Sequence, residues 1–245
     1  MANKVLTDNF SESLNGATTA KVDINSYIGH LSIDKLAAGE QVLASGTLQY
    51  FEKQGLPART VNTGKGQTTF TLRAGHTGQP RFRFPWVACG GAYEWQIHLN
   101  PMVPSEITAH SDGGNVSLNL AGMTISRVSA ATGGGNIDVV LPDKSVDLGV
   151  AVSTGGGNVN VDIGGGITGN NAVNASSGAG NVVVRVPSGV AARIHATTGL
   201  GKVMVDARFS ETDKNTYQSA GYNGAGNKVE ITVKSGAGNV SVNTK

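Results

Sequence analysis

Six short glycine-rich segments recur along the chain and constrain its fold more than any other feature. They occupy residues 112–115, 133–136, 155–158, 178–181, 199–202 and 236–239. Their fourth residues, taken here as reference positions, lie 21, 22, 23, 21 and 37 residues apart. A nearly constant interval in this range is typical of solenoids, in which each repeat is one structural unit.

The residues that follow each segment alternate between apolar and polar with a period of two. At one, three and five positions after the reference residue, 16 of 18 residues are Val, Ile or Leu. The same alternation leads into each segment from the other side. This pattern predicts strands with one buried face. Each repeat is therefore predicted to be a strand, a tight glycine turn and a second strand.

Two positions in every repeat keep the same residue type. The residue four before the reference position is always Ser or Thr, and the residue directly before it is always Gly. The alternation points the hydroxyl inward, where it can bond turn backbone groups that would otherwise be buried without a partner. The glycine indicates either a positive φ or a very close approach of two backbones.

Stacked repeats would place equivalent residues in columns, because neighbouring strands lie about 4.8 Å apart. The asparagines at reference positions 115, 136, 158 and 181 are therefore predicted to form an amide ladder. Four residues further on, Asp162, Arg185 and Asp206 are predicted to form a surface salt ladder, which would stabilise the fold only slightly.

These patterns predict an all-β chain folded as a single-stranded β-helix (β-solenoid) with about 22 residues per coil. Residues 105–245 form the regular coils in this interpretation, and residues 1–104 form wider, degenerate coils or an atypical cap. Ten of the thirteen aromatic residues precede residue 100, which suits a bulky cap. We expect one continuous body, with a separate small β domain at 1–104 as the alternative.

Composition excludes several classes of partner. The net charge of +2 is too small for an electrostatic surface that binds nucleic acid. No apolar run approaches the roughly 18 residues of a membrane span. The single cysteine, Cys89, rules out an internal disulfide and a cysteine zinc site, and the five histidines lack ligand spacing. We predict no metal and no cofactor.

The cellular compartment is left open by the N-terminus. The first residues lack the apolar core of a secretion signal. The chain is expected to be cytoplasmic if Met1 is the native start. It is expected at the cell surface or in the envelope if a leader or anchor has been removed.

No motif for catalysis is recognisable. The glycine turns lack the Lys-Ser/Thr and following helix of a phosphate-binding loop, and a repeat of this length does not fit the nonapeptide calcium motif. No nucleophile elbow or zinc-protease motif occurs. Carboxylates from separate coils could still serve a lyase or hydrolase, and Asp138, Asp162 and Asp206 are the candidates. Arg185, between the last two, favours a structural role, so we predict that the chain is not an enzyme.

Aromatic residues near position 90 are the candidate partner or ligand surface. Residues 81–86 alternate arginine with aromatic residues, as in platforms that stack sugars or bases. Trp86, Tyr93 and Trp95 would form this surface if they are exposed, which would favour carbohydrate binding. The alternative is that they form the core of the cap, with arginines reaching to solvent.

Residues 93–104 contain Trp-x-x-x-Leu-Asn-Pro-x-x-Pro and are followed by the glycine-rich strand pattern at 113–120. With residues 29–33, these stretches resemble the toast-rack or putative-adhesin families of uncharacterised bacterial β-helix domains. Relatives there include the C-terminal domain of a membrane regulator of cell-envelope stress. The resemblance implies a β-helix in a cell-envelope or surface setting, and it carries over no catalytic residues.

The sequence thus predicts a non-enzymatic structural or interaction protein, adhesin-like and able to self-assemble. Its partner would be a protein or a second copy, bound through the ends of the β-helix, where residues 240–245 are expected to form a free edge. The alternatives are a carbohydrate-binding or carbohydrate-processing β-helix and a sensory domain in envelope-stress signalling.

Overall fold

The computed structural model describes residues 4–37, 39–75 and 93–245. Regular structure in these ranges is β, apart from two single-turn 3-10 helices at Glu52–Gln54 and Tyr222–Gly224. Seven strands precede residue 100: β1 (Val5–Ser13), β2 (Thr19–Ser26), β3 (His30–Lys35), β4 (Val42–Phe51), β5 (Ala58–Gly64), β6 (Gln67–Arg73) and β7 (Glu94–Leu99).

Fourteen strands follow, most of them in pairs joined by the glycine turns. They are β8 (Ser105–Ser111), β9 (Asn115–Asn119), β10 (Ile125–Thr132), β11 (Ile137–Val140), β12 (Gly149–Thr154), β13 (Val159–Asp162), β14 (Asn170–Ser177), β15 (Val182–Val186), β16 (Ala191–Leu200), β17 (Val203–Val205), β18 (Phe209–Asp213), β19 (Thr216–Ser219), β20 (Lys228–Ala237) and β21 (Val240–Thr244).

The strands form two large mixed sheets. The first has ten strands in the order β1-β4-β7-β3-β9-β11-β13-β15-β21-β17. The second has eleven, in the order β18-β19-β16-β20-β14-β12-β10-β8-β2-β6-β5. In each repeat the glycine turn carries the chain from the second sheet to the first.

Within the described ranges, one hydrophobic cluster contains inward-facing residues of both sheets. On β13, for example, Val159 and Val161 are fully buried while the residues between and after them reach solvent. Each such valine contributes about 2 kcal/mol through burial. The predicted alternation of solvent-exposed and buried side chains is therefore confirmed.

Equivalent residues of successive repeats do lie side by side. Val116 pairs with Ile137, Ile137 with Val159, and Val159 with Val182, all in parallel register. The asparagine column is present as well. The Asn115 side-chain oxygen accepts a 2.9 Å hydrogen bond from the Asn136 backbone N–H, and the contact recurs along the column. The amide oxygens bind backbone rather than one another.

The hydroxyl column is also where the sequence predicts it. Five of the six hydroxyls donate hydrogen bonds of 2.7–2.8 Å to a carbonyl oxygen of the adjacent glycine turn. The sixth, on Ser111, accepts from the Gly114 N–H at 2.9 Å. The hydroxyls thus satisfy backbone groups in the buried corner between the sheets.

The prediction of a single-stranded β-helix with about 22 residues per coil and an atypical N-terminal cap is wrong. In a solenoid each repeat contacts only its neighbours in sequence. Here the last strands, β20 and β21, insert between earlier ones, and β2 lies between β8 and β6. Antiparallel pairs also complete both sheets, such as β1 with β4 and β18 with β19. The result is two mixed sheets, not one continuous coil.

The position of β21 overturns two further expectations. Residues 240–245 were predicted to form a free edge, but β21 pairs with β15 on one side and β17 on the other. The salt ladder is only half formed for the same reason. Asp162 and Arg185 approach to 3.4 Å, whereas β21 separates Arg185 from Asp206.

Hydrogen bonding crosses the boundary predicted at residue 104. Strand β2 pairs with β8, and β3 pairs with β9, both in parallel. The division of the chain into residues 1–104 and 105–245 stays a prediction.

Candidate functional site

Two of the three aromatic residues predicted to form a ligand surface are buried. Tyr93 is 9% exposed and Trp95 is 4% exposed. The Tyr93 hydroxyl donates to Gln54 Oε1 at 2.6 Å, and the Trp95 indole N–H donates to the Gln49 carbonyl at 3.0 Å. Trp86 lies outside the described residues. A ligand surface in this region stays a prediction.

The space beside these rings is small. A cavity of about 10 Å³ lies between Tyr93, Trp95 and neighbouring residues such as Tyr27 and Tyr50. This volume holds about one water molecule and no larger ligand.

The three candidate carboxylates lie in or beside the first sheet, and each has a polar partner. Asp138 accepts from the Asn160 amide at 2.7 Å. Asp162 forms ion pairs with Arg185 at 3.4 Å and with Lys245 at 3.2 Å. Asp206 accepts from the Arg208 backbone N–H, which lowers the pKa of its carboxyl. A carboxyl with a lowered pKa is a poor proton donor near neutral pH.

An open polar site lies on the outer face of the second sheet, where the repeat is interrupted. The residues inserted before Lys228 form a hairpin, β18 with β19, and β19 pairs antiparallel with β16. The chain then turns through Gly221, in the left-handed region at φ 76°, and places Tyr222 against the sheet.

This turn creates a groove of about 500 Å³, called here the Tyr222 groove. Its walls come from strands β14, β16 and β20 and from the second 3-10 helix. It is lined by Asn170, Asn171, Ala172, Arg193, Tyr222, Asn223, Lys228 and Glu230.

Tyr222 forms the floor of the groove and is 3% exposed. Two cations lie over its ring, the Arg193 guanidinium at 4.9 Å and the Lys228 ammonium at 5.3 Å from the centroid. Its hydroxyl donates to Glu230 Oε1 at 3.2 Å. Burial, with a further contribution from the Glu230 carboxylate, raises the pKa of Tyr222.

Arg193 is held in place by its neighbours. Its Nε and Nη2 both donate to Gln218 Oε1 at 3.3 Å, and Nη1 lies 3.7 Å from Glu230 Oε1. Gln218 belongs to β19, so the inserted hairpin fixes the arginine. These contacts hold the guanidinium so that its Nη1 points toward the Glu230 carboxylate.

Three other polar groups of the groove have no ion-pair or side-chain hydrogen-bond partner within the described parts of the chain. The Lys228 ammonium has no carboxylate within ion-pair distance, and the side-chain amides of Asn170 and Asn223 make no hydrogen bond there. These groups combine positive charge with amide donors and acceptors. They are available to a bound ligand.

A shallow trough adjoins the groove on the same sheet face. It has a volume of about 280 Å³ and runs across β10, β12, β14 and β20. Small residues form most of it, and Lys234 lies at one side. Its lining is Ser129, Ala130, Ala151, Val152, Ser153, Asn174, Ala175, Ser176, Thr232 and Lys234.

The repeat pattern did not predict this site, although one signal in the sequence marked it. The 37-residue interval is longer than the other four, which indicates inserted residues, and Tyr222 is one of three aromatic residues after position 100. Arg193 and Glu230 carry no such signal, because each occupies an outward strand position that reads as ordinary surface.

Within residues 4–37, 39–75 and 93–245, no His, Cys, Asp or Glu side chains cluster in threes as a metal site would need. No helix among these residues has the length and apolar character that a membrane crossing requires.

The model of a family described as the N-terminal domain of toast_rack, DUF2154, matches residues 1–162. The crystal structure of a putative cell adhesion protein from Clostridium sporogenes aligns with 99% of this chain and 100% of its own, at 21% identity and a TM-score of 0.71. The two chains therefore share a fold.

A putative adhesin from Bacteroides fragilis aligns over 98% of both chains, at 12% identity and a TM-score of 0.42. A TM-score this low adds nothing to the assignment of the fold. No curated protein matches the sequence.

Proposed function

The chain belongs to the toast_rack family, and from that premise we propose that it is a non-enzymatic, adhesin-like protein that binds its partner through the outer face of the second sheet. The Clostridium sporogenes protein of the same fold is described as a putative cell adhesion protein, which supports an adhesive role. A bacterial cell-surface or envelope setting is part of this proposal.

The observation that carries the proposal is the Tyr222 groove. It is open, has room for a ligand, and holds the side chains of Lys228, Asn170 and Asn223 without ion-pair or hydrogen-bond partners among the described residues. Polar groups that a protein leaves unsatisfied at a concave surface are suited to recognition. The rest of the outer face adds a shallow, polar surface against which a larger partner can bind.

The contacts of the three candidate carboxylates support a non-catalytic role. Asp138, Asp162 and Asp206 each have a hydrogen-bond or ion-pair partner. A pair of acids for hydrolysis needs one group with a raised pKa beside another that is ionised. The pKa of the Asp206 carboxyl is lowered rather than raised.

The test is adhesion of beads coated with the purified chain to surfaces of mucin, fibronectin or whole bacterial cells under flow. We expect retention on at least one surface and its loss when Arg193 and Lys228 are both changed to Ala. The matched control changes Arg185 and Lys202, two cations carried by the first sheet and its glycine turn. Equal retention of both double variants would place the binding surface elsewhere.

An activity screen tests the non-enzymatic part separately. Polysaccharides and glycosides are incubated with the chain and with Asp162→Ala. Turnover that disappears in this variant would overturn the proposal, because it would make a carboxylate of the first sheet essential to a reaction.

Self-association is a second property that a specific observation favours. Among the described strands, β17 ends the first sheet and pairs with β21 alone. Its Met204 is 47% exposed, and Leu200, just before it, is 76% exposed. An edge strand with exposed apolar side chains is suited to pairing with a second copy.

A further inference from the structure

We propose that the Tyr222 groove and the adjoining trough bind an acidic oligosaccharide, a chain of sugars with repeated carboxylates, along strand β20. The inference rests on the adhesin-like function proposed above and names its class of ligand.

Two lysines with no ion-pair partner mark the ends of the site. The side chains of residues 228, 230, 232 and 234 share the outer face, because strand residues alternate between faces. Neither Lys228 nor Lys234 has a carboxylate within ion-pair distance among the described residues. Six residues of strand separate their Cα atoms by about 20 Å. Two cations at this distance suit a ligand with anionic groups spaced along its length.

The polar side chains between the two lysines can form hydrogen bonds with the hydroxyl groups of a sugar. Thr232, Asn174 and Ser176 line the trough and present hydroxyl and amide groups that both donate and accept hydrogen bonds. Sugar hydroxyls have the same double character. The small side chains of this face leave room for a chain of rings to lie flat along the strand.

Glu230 argues against a polyphosphate ligand. It lies between the two lysines on the outer face, and its side chain is 65% exposed. Closely spaced phosphates would meet this carboxylate with repulsion, and the net charge of +2 gives no compensating field. A sugar chain can place a hydroxyl at Glu230 and its carboxylates at Lys228 and Lys234.

Calorimetric titration with tetragalacturonate and with monomeric galacturonate tests the inference. The tetramer is expected to bind wild type, and Lys228→Ala and Lys234→Ala are each expected to weaken it about tenfold, as for loss of one charge-assisted hydrogen bond. Lys202→Ala, which removes a lysine of a glycine turn, should bind like wild type. The monomer reaches only one lysine, and the groove at Lys228 is larger than the trough at Lys234, so its affinity should respond to Lys228→Ala and not to Lys234→Ala.

Several results would overturn the inference. Neutral galactotetraose binding as tightly as tetragalacturonate would remove the role of the carboxylates. Displacement of the tetramer by an equal concentration of inorganic phosphate would indicate a general anion site. Unchanged affinity in both lysine variants would place the ligand elsewhere. Coincident thermal unfolding curves for all variants exclude loss of fold as a cause of weaker binding.

The calorimetric and bead assays can tell failure of this inference from failure of the proposed adhesive function. If tetragalacturonate does not bind but the coated beads are still retained through Arg193 and Lys228, the ligand is not an acidic sugar and the adhesive function stands. If neither assay shows binding, both fail.

The source of the acidic sugar is distinguished by competition. Hyaluronan, a uronate polymer of animal tissue, and polysaccharide extracted from bacterial envelopes are each added to a labelled tetramer complex. Displacement by either one supports the inference and identifies the source. Displacement by neither overturns it.

Discussion

The hydroxyl of Thr154 donates a 2.8 Å hydrogen bond to the carbonyl oxygen of Gly135, which belongs to the preceding repeat. The same hydroxyl accepts a 3.2 Å bond from the Gly157 backbone N–H in its own repeat. Thr154 is 5% exposed, so water does not replace these bonds. One side chain thus joins two turns and satisfies a polar group in each.

Replacing Thr154 by Val should therefore destabilise the chain. The shape of the side chain is kept, but a buried carbonyl and a buried N–H each lose a partner, which costs about 2 kcal/mol in the free energy of unfolding. Thr154→Ser is the control, because it keeps the hydroxyl. Urea denaturation should show a lower midpoint for Thr154→Val at an unchanged slope. Equal midpoints for the two variants would contradict the assigned role.

Two neighbouring glycines in one turn should differ in their response to an added methyl group. A Cβ on Gly157 would collide with the backbone carbonyl of Gly135, whereas a Cβ on Gly156 meets nothing within 4 Å. We expect Gly157→Ala to lower the free energy of unfolding by about 3 kcal/mol, as overpacking of a rigid site does. Gly156→Ala should change it by less than about 0.5 kcal/mol. Thermal unfolding of the two variants makes the comparison, and similar losses would show that close approach is not the reason for glycine.

The faces of the strands were predictable from the sequence because the side-chain period of a strand is fixed at two. Val159 and Val161 must share a face, and Thr154 must point inward if the valines before it do. The sequence did not decide why residue 157 must be glycine, because a positive φ and a close approach of two backbones both select glycine.

The order of the strands was not predictable from the same pattern. Val203 and Val240 begin strands with the same alternation, so nothing local states that β21 lies between β15 and β17. Alternation specifies which face is buried and not which strand is the neighbour. The Tyr222 groove was hidden for the same reason, because Arg193 and Glu230 become neighbours only through the pairing of β16 with β20.

The titration of Tyr222 should report the electrostatics of the groove. Burial first, and then the Glu230 carboxylate, raises the pKa of this phenol above its ordinary value of 10.0. The difference in phenolate absorbance between wild type and Tyr222→Phe isolates the group. Glu230→Gln should lower the pKa without restoring the ordinary value, because burial remains. Glu106→Gln, at another position of the second sheet, is the control, and equal effects of the two variants would contradict the contact.

Asp206 should make the stability depend on pH in the acid range. Hydrogen bonds from backbone N–H groups, that of Arg208 first, lower the pKa of its carboxyl below the ordinary 3.8. A lowered pKa in the folded state means that the contribution is complete above the ordinary value and is lost as pH falls through the folded value. The stability difference between wild type and Asp206→Asn should therefore shrink below about pH 4. A difference that stays constant into strong acid would contradict this.

Association through the exposed edge of β17 should depend on Met204. Its side chain is 47% exposed beside an edge of the first sheet to which no further described strand pairs. A lysine there would oppose pairing with a second copy through charge. Light scattering over a concentration series should show association of wild type and a shift toward monomer for Met204→Lys. Val140→Lys is the matched control, since Val140 is 39% exposed on β11, an inner strand of the same sheet. A wild-type chain that stays monomeric throughout, or equal dissociation by both variants, would show that this edge does not mediate association.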